Sequence, residues 1–233
     1  MPPQPENTMI NKFAIASALT AAATLSHAGV IVSAQSVSIL VGAPGVGDIV
    51  STYDTYGLLD DYVSGETDFD TYMASNPLHV ADFDISDGGT TYYYEWFSEY
   101  GNPAATVSYD LGSVQQTLGM ALWNEDANGI GKLNVLGSVD GTTWTTLASN
   151  ITPTNHAFNT DYGADVLSWG TTSARYIKLE MSACPAGGSW IGCSIGEVAF
   201  NVSPVPEPSS LAMTGLGLGL MGWVAASRRR KQA

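Results

Sequence analysis

The sequence predicts an all-β fold, an antiparallel β-sandwich or jelly roll, and three observations carry that prediction. Between Val30 and Val202 no apolar pattern sustains a helical period. The apolar positions fall instead in short runs rich in Val, Thr, Tyr, Phe and Trp, residues that suit a pleated, half-buried surface. Gly, Asn, Asp and Pro separate the runs, and the close spacing suits antiparallel strands rather than strand–helix–strand units.

In chain order, Tyr56 to Asn76 admits a helical turn or two. Strands are expected at Ala105–Asp110, Leu118–Trp123, Lys132–Ser138, Trp144–Ala148, Tyr176–Glu180 and Glu197–Val202. The clearest hairpin runs from Asn134 to Trp144, because Asp140-Gly141 supplies the turn chemistry between two apolar runs. No internal repeat is present.

Both ends read as targeting segments. Met9 to Lys12 is a short positive stretch, Phe13 to Leu25 is apolar and alanine-rich, and Ser26-His27-Ala28 is a small-x-small cleavage site. Residues 1–28 therefore read as a signal-peptide region with a mature start near Gly29. Met1 to Thr8 carries prolines and no basic residue, so Met9 is the better start for such a signal. At the other end, Val205, Pro206, Glu207 and Pro208 precede an apolar, glycine-rich stretch from Leu211 to Ala226. Arg228, Arg229, Arg230 and Lys231 follow. The prolines favour an extended, accessible segment. The apolar stretch is near the lower limit for a membrane-spanning helix, and the basic cluster would stay on the cytoplasmic side. The organisation is thus 1–28 signal, 29–203 one β domain, and 204–233 a sorting and anchoring tail.

Of the 22 carboxylates only Glu6 and Glu207 lie outside 29–203, and Lys132, Arg175 and Lys178 are the only Lys or Arg inside it. So acidic a body argues against binding a phosphate backbone, and nucleic acid is not an expected partner. It suits solubility outside the cell, divalent cations or neutral glycans. Cys184 and Cys193 flank a loop containing Pro185, Gly187 and Gly188. In an oxidising compartment they are expected to form one disulfide; a zinc site lacks the ligands.

The tail closely resembles the PEP-CTERM sorting signal of exopolysaccharide-producing Gram-negative bacteria. That resemblance implies cleavage near Pro206-Glu207-Pro208 by an exosortase. It also implies an inner-membrane-anchored precursor that goes on to the cell surface or the extracellular matrix. A second resemblance rests on Val107 to Gly112, Gly137-Ser138-Val139-Asp140-Gly141 with Trp144, Ala174 to Leu179, and Ile195 to Phe200. These blocks, in this order, look like a discoidin-type (coagulation-factor C-type, galactose-binding-like) domain, an eight-stranded jelly roll found in many carbohydrate-binding modules. In that family a structural Ca2+ often sits between an early acidic loop and a Glu of the last strand. The resemblance gives this role to Glu197, with Asp60, Asp61 or Asp87 as the early ligand. Calcium is the one cofactor it implies.

For glycan contact, Thr91 to Phe97 packs five aromatic side chains around Glu95, and alternation sends Tyr92, Tyr94 and Trp96 to one face. Trp123 and Trp190 are further candidates, the latter on the cysteine loop. Trp144 reads as a packing residue, and Arg175 as the partner of a carboxylate. His79 and His156 fit no triad or metal motif, and no nucleophile elbow or phosphate loop occurs. No catalytic residue is assigned. The sequence thus points to an exported, non-catalytic protein whose β domain binds exopolysaccharide or another glycan. The rivals are a purely structural envelope protein and a polysaccharide hydrolase.

Overall fold

The computed structural model describes residues 29–204 together with Gly215, Gly217, Leu218 and Met221. The expected signal peptide and most of the sorting tail lie outside the described residues. Among those described, no helix is long and apolar enough to cross a membrane.

The chain opens with β1 (Val30–Val32), β2 (Ser36–Val41), β3 (Val46–Gly47) and a 3-10 turn at Ile49–Thr52. Next come α1 (Phe69–Ala74), β4 (Leu78–His79), β5 (Asp84–Asp87), β6 (Thr90–Tyr93) and β7 (Trp96–Phe97). The second half holds β8 (Ala105–Trp123), β9 (Lys132–Ser138), β10 (Thr145–Ile151), β11 (Tyr162–Gly163), β12 (Asp165–Ser182), β13 (Ser194–Ile195) and β14 (Glu197–Val202). Over residues 29–204 the fold is all-β, with a single short α-helix in the 56–76 stretch where the sequence allowed one. Asp68 caps that helix by accepting the Thr71 amide at 2.8 Å.

The main sheet runs β1-β14-β8-β12-β9-β10, with β2 also paired to β8, and every pairing is antiparallel. Two expected strands, Ala105–Asp110 and Leu118–Trp123, are the halves of one long β8. Its first half pairs with β2 and its second with β14, while β12 follows it throughout. Between the halves the strand bends at Gly112, whose φ is +81° and where an added Cβ would run into the Gln35 side chain. The bend folds one continuous sheet over itself into two packed layers. Tyr109 of the first half meets Phe200 of β14 with ring centroids 5.6 Å apart.

Alternation on β8 sends Ala105, Val107, Tyr109 and Leu111 inward to a core shared with Met120, Leu122, Val135, Ile177, Leu179, Val198 and Phe200. A second cluster covers the opposite face of the β8–β14 pair. There Leu58, Tyr62, Phe69 and Tyr72 pack on Ala121, Trp123 and Ala199. Both faces of β14 are therefore closed, and all six of its residues are buried.

The Asp140-Gly141 turn forms as expected between β9 and β10. Asp140 accepts the Thr142 and Thr143 amides, each at 2.8 Å, and Gly141 has φ +74°. Arg175 makes a two-pronged ion pair with Asp110, both bonds 2.8 Å. Trp144 lies under the Lys178 ammonium, 4.5 Å from the ring centre. Cys184 and Cys193 are disulfide-bonded, which ties the 184–193 loop to the start of β13.

Candidate functional site

The end of the sheet where β8 gives way to its following loop carries a cleft of about 500 Å3. Its aromatic walls are Phe83, Phe97, Phe158 and Trp190, and its polar lining includes Glu95, Glu125 and Asp126. A smaller cavity of about 290 Å3, lined by Asn155, His156 and the glycines of the disulfide loop, shares Asn128, Phe158 and Ser189 with it. Phe158 is 80% exposed at the shared wall. Trp190 is half-buried and held from three sides. Its backbone N–H donates to Asn128 Oδ1 at 3.0 Å, its indole N–H donates to the Ser98 carbonyl at 3.3 Å, and its ring meets Tyr100 edge-on at 4.9 Å.

The carboxylates are positioned by neighbouring donors. Glu125 Oε2 accepts the Asn128 amide, the Ala127 amide at 3.2 Å and the Ser194 hydroxyl at 3.0 Å. Asp126 Oδ2 accepts the Asn159 amide. Glu95 Oε1 accepts the Tyr162 hydroxyl at 2.6 Å. Burial, then the negative charge of Glu125, pushes the Glu95 carboxyl well above the usual carboxylate range. Burial and the hydrogen-bonded Asp126 raise Glu125 to about 7. His79 Nδ1 comes within 3.8 Å of Glu95 but is not its counter-ion. That nitrogen donates to the Val80 carbonyl at 2.7 Å, and burial lowers the imidazole to about 4, so the ring is neutral.

A second acidic centre lies at the start of β14. Glu197 is fully buried; Oε1 accepts the Tyr62 hydroxyl at 3.4 Å, and Oε2 has no hydrogen-bond partner. Burial, followed by the charge of Asp54, raises its carboxyl well above the ordinary range, and Asp61 adds to the effect. No basic side chain answers it; the body's three are engaged with Asp110, Glu180 and Thr152. A buried carboxyl with a free oxygen, which feels the charges of Asp54 and Asp61, is a feature that a hard cation could use. Among the described residues no three His, Cys, Asp or Glu side chains converge as ligands.

A family model for the F5/8 type C domain matches residues 68–196, more than half of the chain. The chain belongs to the F5/8 type C domain family. The PEP-CTERM protein-sorting motif matches residues 204–230. Among solved structures, the C-terminal domain of a chitobiase from Bacteroides fragilis is 17% identical with a TM-score of 0.45, over 76% of this chain and 99% of that one. Chitosan-binding module 1 of a chitosanase/glucanase from Paenibacillus sp. IK-5 is 23% identical with a TM-score of 0.37, over 52% of this chain and 83% of that one. The CBM32-3 module of a family 31 glycoside hydrolase from Clostridium perfringens is 15% identical with a TM-score of 0.40, over 46% of this chain and 74% of that one. No curated protein matches the chain.

In this F5/8 type C domain the residues singled out from sequence divide sharply. Trp190 lines the cleft. Tyr92 and Tyr94 lie outside it and gather on Tyr56, with ring centroids 6.1 and 5.0 Å apart. Trp96 and Trp123 are corrections: they are 1% and 0% exposed and cannot offer a ring face to a sugar. Strand pairing stops after Tyr93 and resumes at Trp96, so simple alternation fails there and the indole enters the main core. Trp123 would face outward on β8, but the 56–76 stretch covers that face and its indole N–H donates to the Pro77 carbonyl at 2.9 Å. On the acidic side, the charge of Asp61 is felt at Glu197, whereas the Asp60 carbonyl accepts the Tyr72 hydroxyl. Asp87 sits on the exposed β5–β6 hairpin. Asp54, Phe158 and the roles of Glu125 and Asp126 were not foreseen. A carboxylate inside an aromatic run, as at Glu95, was the one visible signal.

Proposed function

We propose that this is an exported, non-catalytic glycan-binding protein, sorted by an exosortase to the cell surface or exopolysaccharide matrix of a Gram-negative bacterium. The sugar would occupy the cleft between Phe83, Phe97, Phe158 and Trp190. The observation that carries this reading is the cleft itself, an apolar-walled cavity of about 500 Å3 with a few convergent polar groups. Membership of the F5/8 type C family and the PEP-CTERM motif support the binding and the sorting halves respectively. Aromatic faces cover the C–H side of a sugar ring, and fixed acceptors such as Glu125 receive its hydroxyls.

The test is binding of the exported protein to a panel of neutral and charged oligosaccharides, followed by the same titration on Trp190→Ala. The substitution is expected to weaken the best ligand by about tenfold or more, with the fold unchanged by circular dichroism. A panel with no ligand, or a ligand indifferent to Trp190, would count against the reading.

The same proposal gives Glu197 the role of a ligand to a structural Ca2+. Calcium at about one hundred times its dissociation constant should raise the melting temperature by roughly 5–10 °C. Glu197→Gln should remove that response. An equal rise in both proteins would show that the ion binds elsewhere.

A further inference from the structure

We infer that the chain is cut between Ala28 and Gly29, and that the α-ammonium group so created docks on the Asn201 side chain to complete the fold. The inference rests on the export reading and goes beyond it, to the bond that is cut and the site that receives the new end. Asn201 lies on β14 and is 9% exposed. Its Oδ1 is buried and accepts no hydrogen bond. Buried carbonyls are ordinarily satisfied, so this one calls for a donor. It faces Gly29: a Cβ built on that glycine would lie 1.7 Å from Oδ1 and 2.7 Å from Cγ. The Gly29 nitrogen is bonded to the same α-carbon and therefore stands beside the free oxygen.

Gly29 itself is held in place. The residue is buried, its carbonyl accepts the Phe69 amide at 2.8 Å, and the following Val30 pairs with Val202 of β14. While the chain continues back from residue 29, its nitrogen is a planar amide whose single hydrogen is held in the peptide plane. That hydrogen does not engage Asn201, whose Oδ1 has no partner. Hydrolysis changes the donor. Water gives its hydroxyl to the Ala28 carbonyl carbon as the C–N bond breaks, its other hydrogen goes to the freed amine, and the amine takes up a proton. The resulting ammonium carries three hydrogens that turn about the N–Cα bond, and a charged donor makes the stronger hydrogen bond. The sequence independently places the cut here, since Ser26-His27-Ala28 is a small-x-small site. Glycine suits the first mature position because any side chain would collide with the Asn201 amide.

The experiment is N-terminal sequencing and thermal melting of the exported protein, alongside a variant with one alanine inserted after Ala28. The insertion preserves the cleavage sequence but turns the Gly29 nitrogen back into an amide. The native protein is expected to begin at Gly29 and to melt about 3 °C or more above the inserted one. Asn201→Leu should lower the native melting temperature and erase the gap between the two starts, because both changes break one bond. Asn201→Asp keeps an acceptor and should preserve the gap. Acetylation of the α-amine at neutral pH, read on the N-terminal peptide, should be about tenfold slower in the native protein than in the inserted one. If Asn201→Leu does not fold, Asn201→Asp and the acetylation rates decide. An exported protein that begins elsewhere, equal melting of the native and inserted forms, or a gap that survives Asn201→Leu would overturn the inference. A different start on an exported protein leaves the export reading intact. A chain found only uncleaved in the cytoplasm would remove both.

Discussion

Between pH 5 and pH 7, at constant calcium, the unfolding free energy of this protein is expected to fall as pH rises, by about 1.4 kcal/mol per pH unit. The cause is the buried acid cluster of the cleft. Glu95 and Glu125 both have carboxyls raised by burial and by like charge, Glu125 to about 7. Over this range the folded protein keeps protons that the unfolded chain has released, so stability is lost as pH rises toward the folded value. His79 acts in the opposite sense. Its folded value is about 4 against 6.5 for the free side chain, so the unfolded chain binds the extra proton below pH 6.5. Glu197, also raised by burial, is a third such carboxyl, and His156, also lowered by burial, is a second such imidazole; three against two leave a net difference of about one proton and hence the stated slope. Urea unfolding at pH 5, 6 and 7 measures it. Glu125→Gln should flatten the curve between pH 5 and 6.5, where Glu95 and Glu197 then oppose His79 and His156. A wild-type curve that is level or climbs with pH would show that the cluster is not buried as described.

Replacing Pro206, Glu207 and Pro208 together with alanine should leave all of the exported protein at precursor mass in the inner-membrane fraction. The effect is expected to be all-or-none, because the motif at 204–230 is the feature that marks the chain for processing. A control exchange of Ser209 for alanine should process normally. Release of mature protein from the triple variant at the wild-type rate would remove the sorting assignment and leave the β domain's reading intact.

How far the sequence discloses such a molecule depends on the distance over which each feature is determined. The Asp140-Gly141 hairpin is written locally, in a carboxylate that accepts two amides and a glycine at positive φ. The pairing of Arg175 with a carboxylate follows from the scarcity of cations in an acidic body, although its partner, Asp110, lies 65 residues away. The continuity of β8 is harder to see. Gly112, Ser113 and the polar Gln115-Gln116 look like a break between strands, whereas they form the bend through which one strand serves both layers. Trp123 shows the limit most clearly. Strand alternation states which side of the sheet it takes, but nothing nearby in sequence tells that Tyr62, Phe69 and Tyr72 will cover that side. The cleft shares this limit, since Phe83, Glu95, Glu125, Phe158 and Trp190 come from separate segments brought together only by the completed sheet.

β14 runs from Glu197, opposite Trp123 at the cleft end, to Val202, opposite Thr117. Six residues of strand separate these ends by roughly 17–20 Å. The sorting tail thus leaves from the end of the domain remote from the cleft, and β1 begins there too, with Val30 beside Val202. A leash fixed at that point would hold the protein as a pendant. Its cleft would lie on the far side from the attachment.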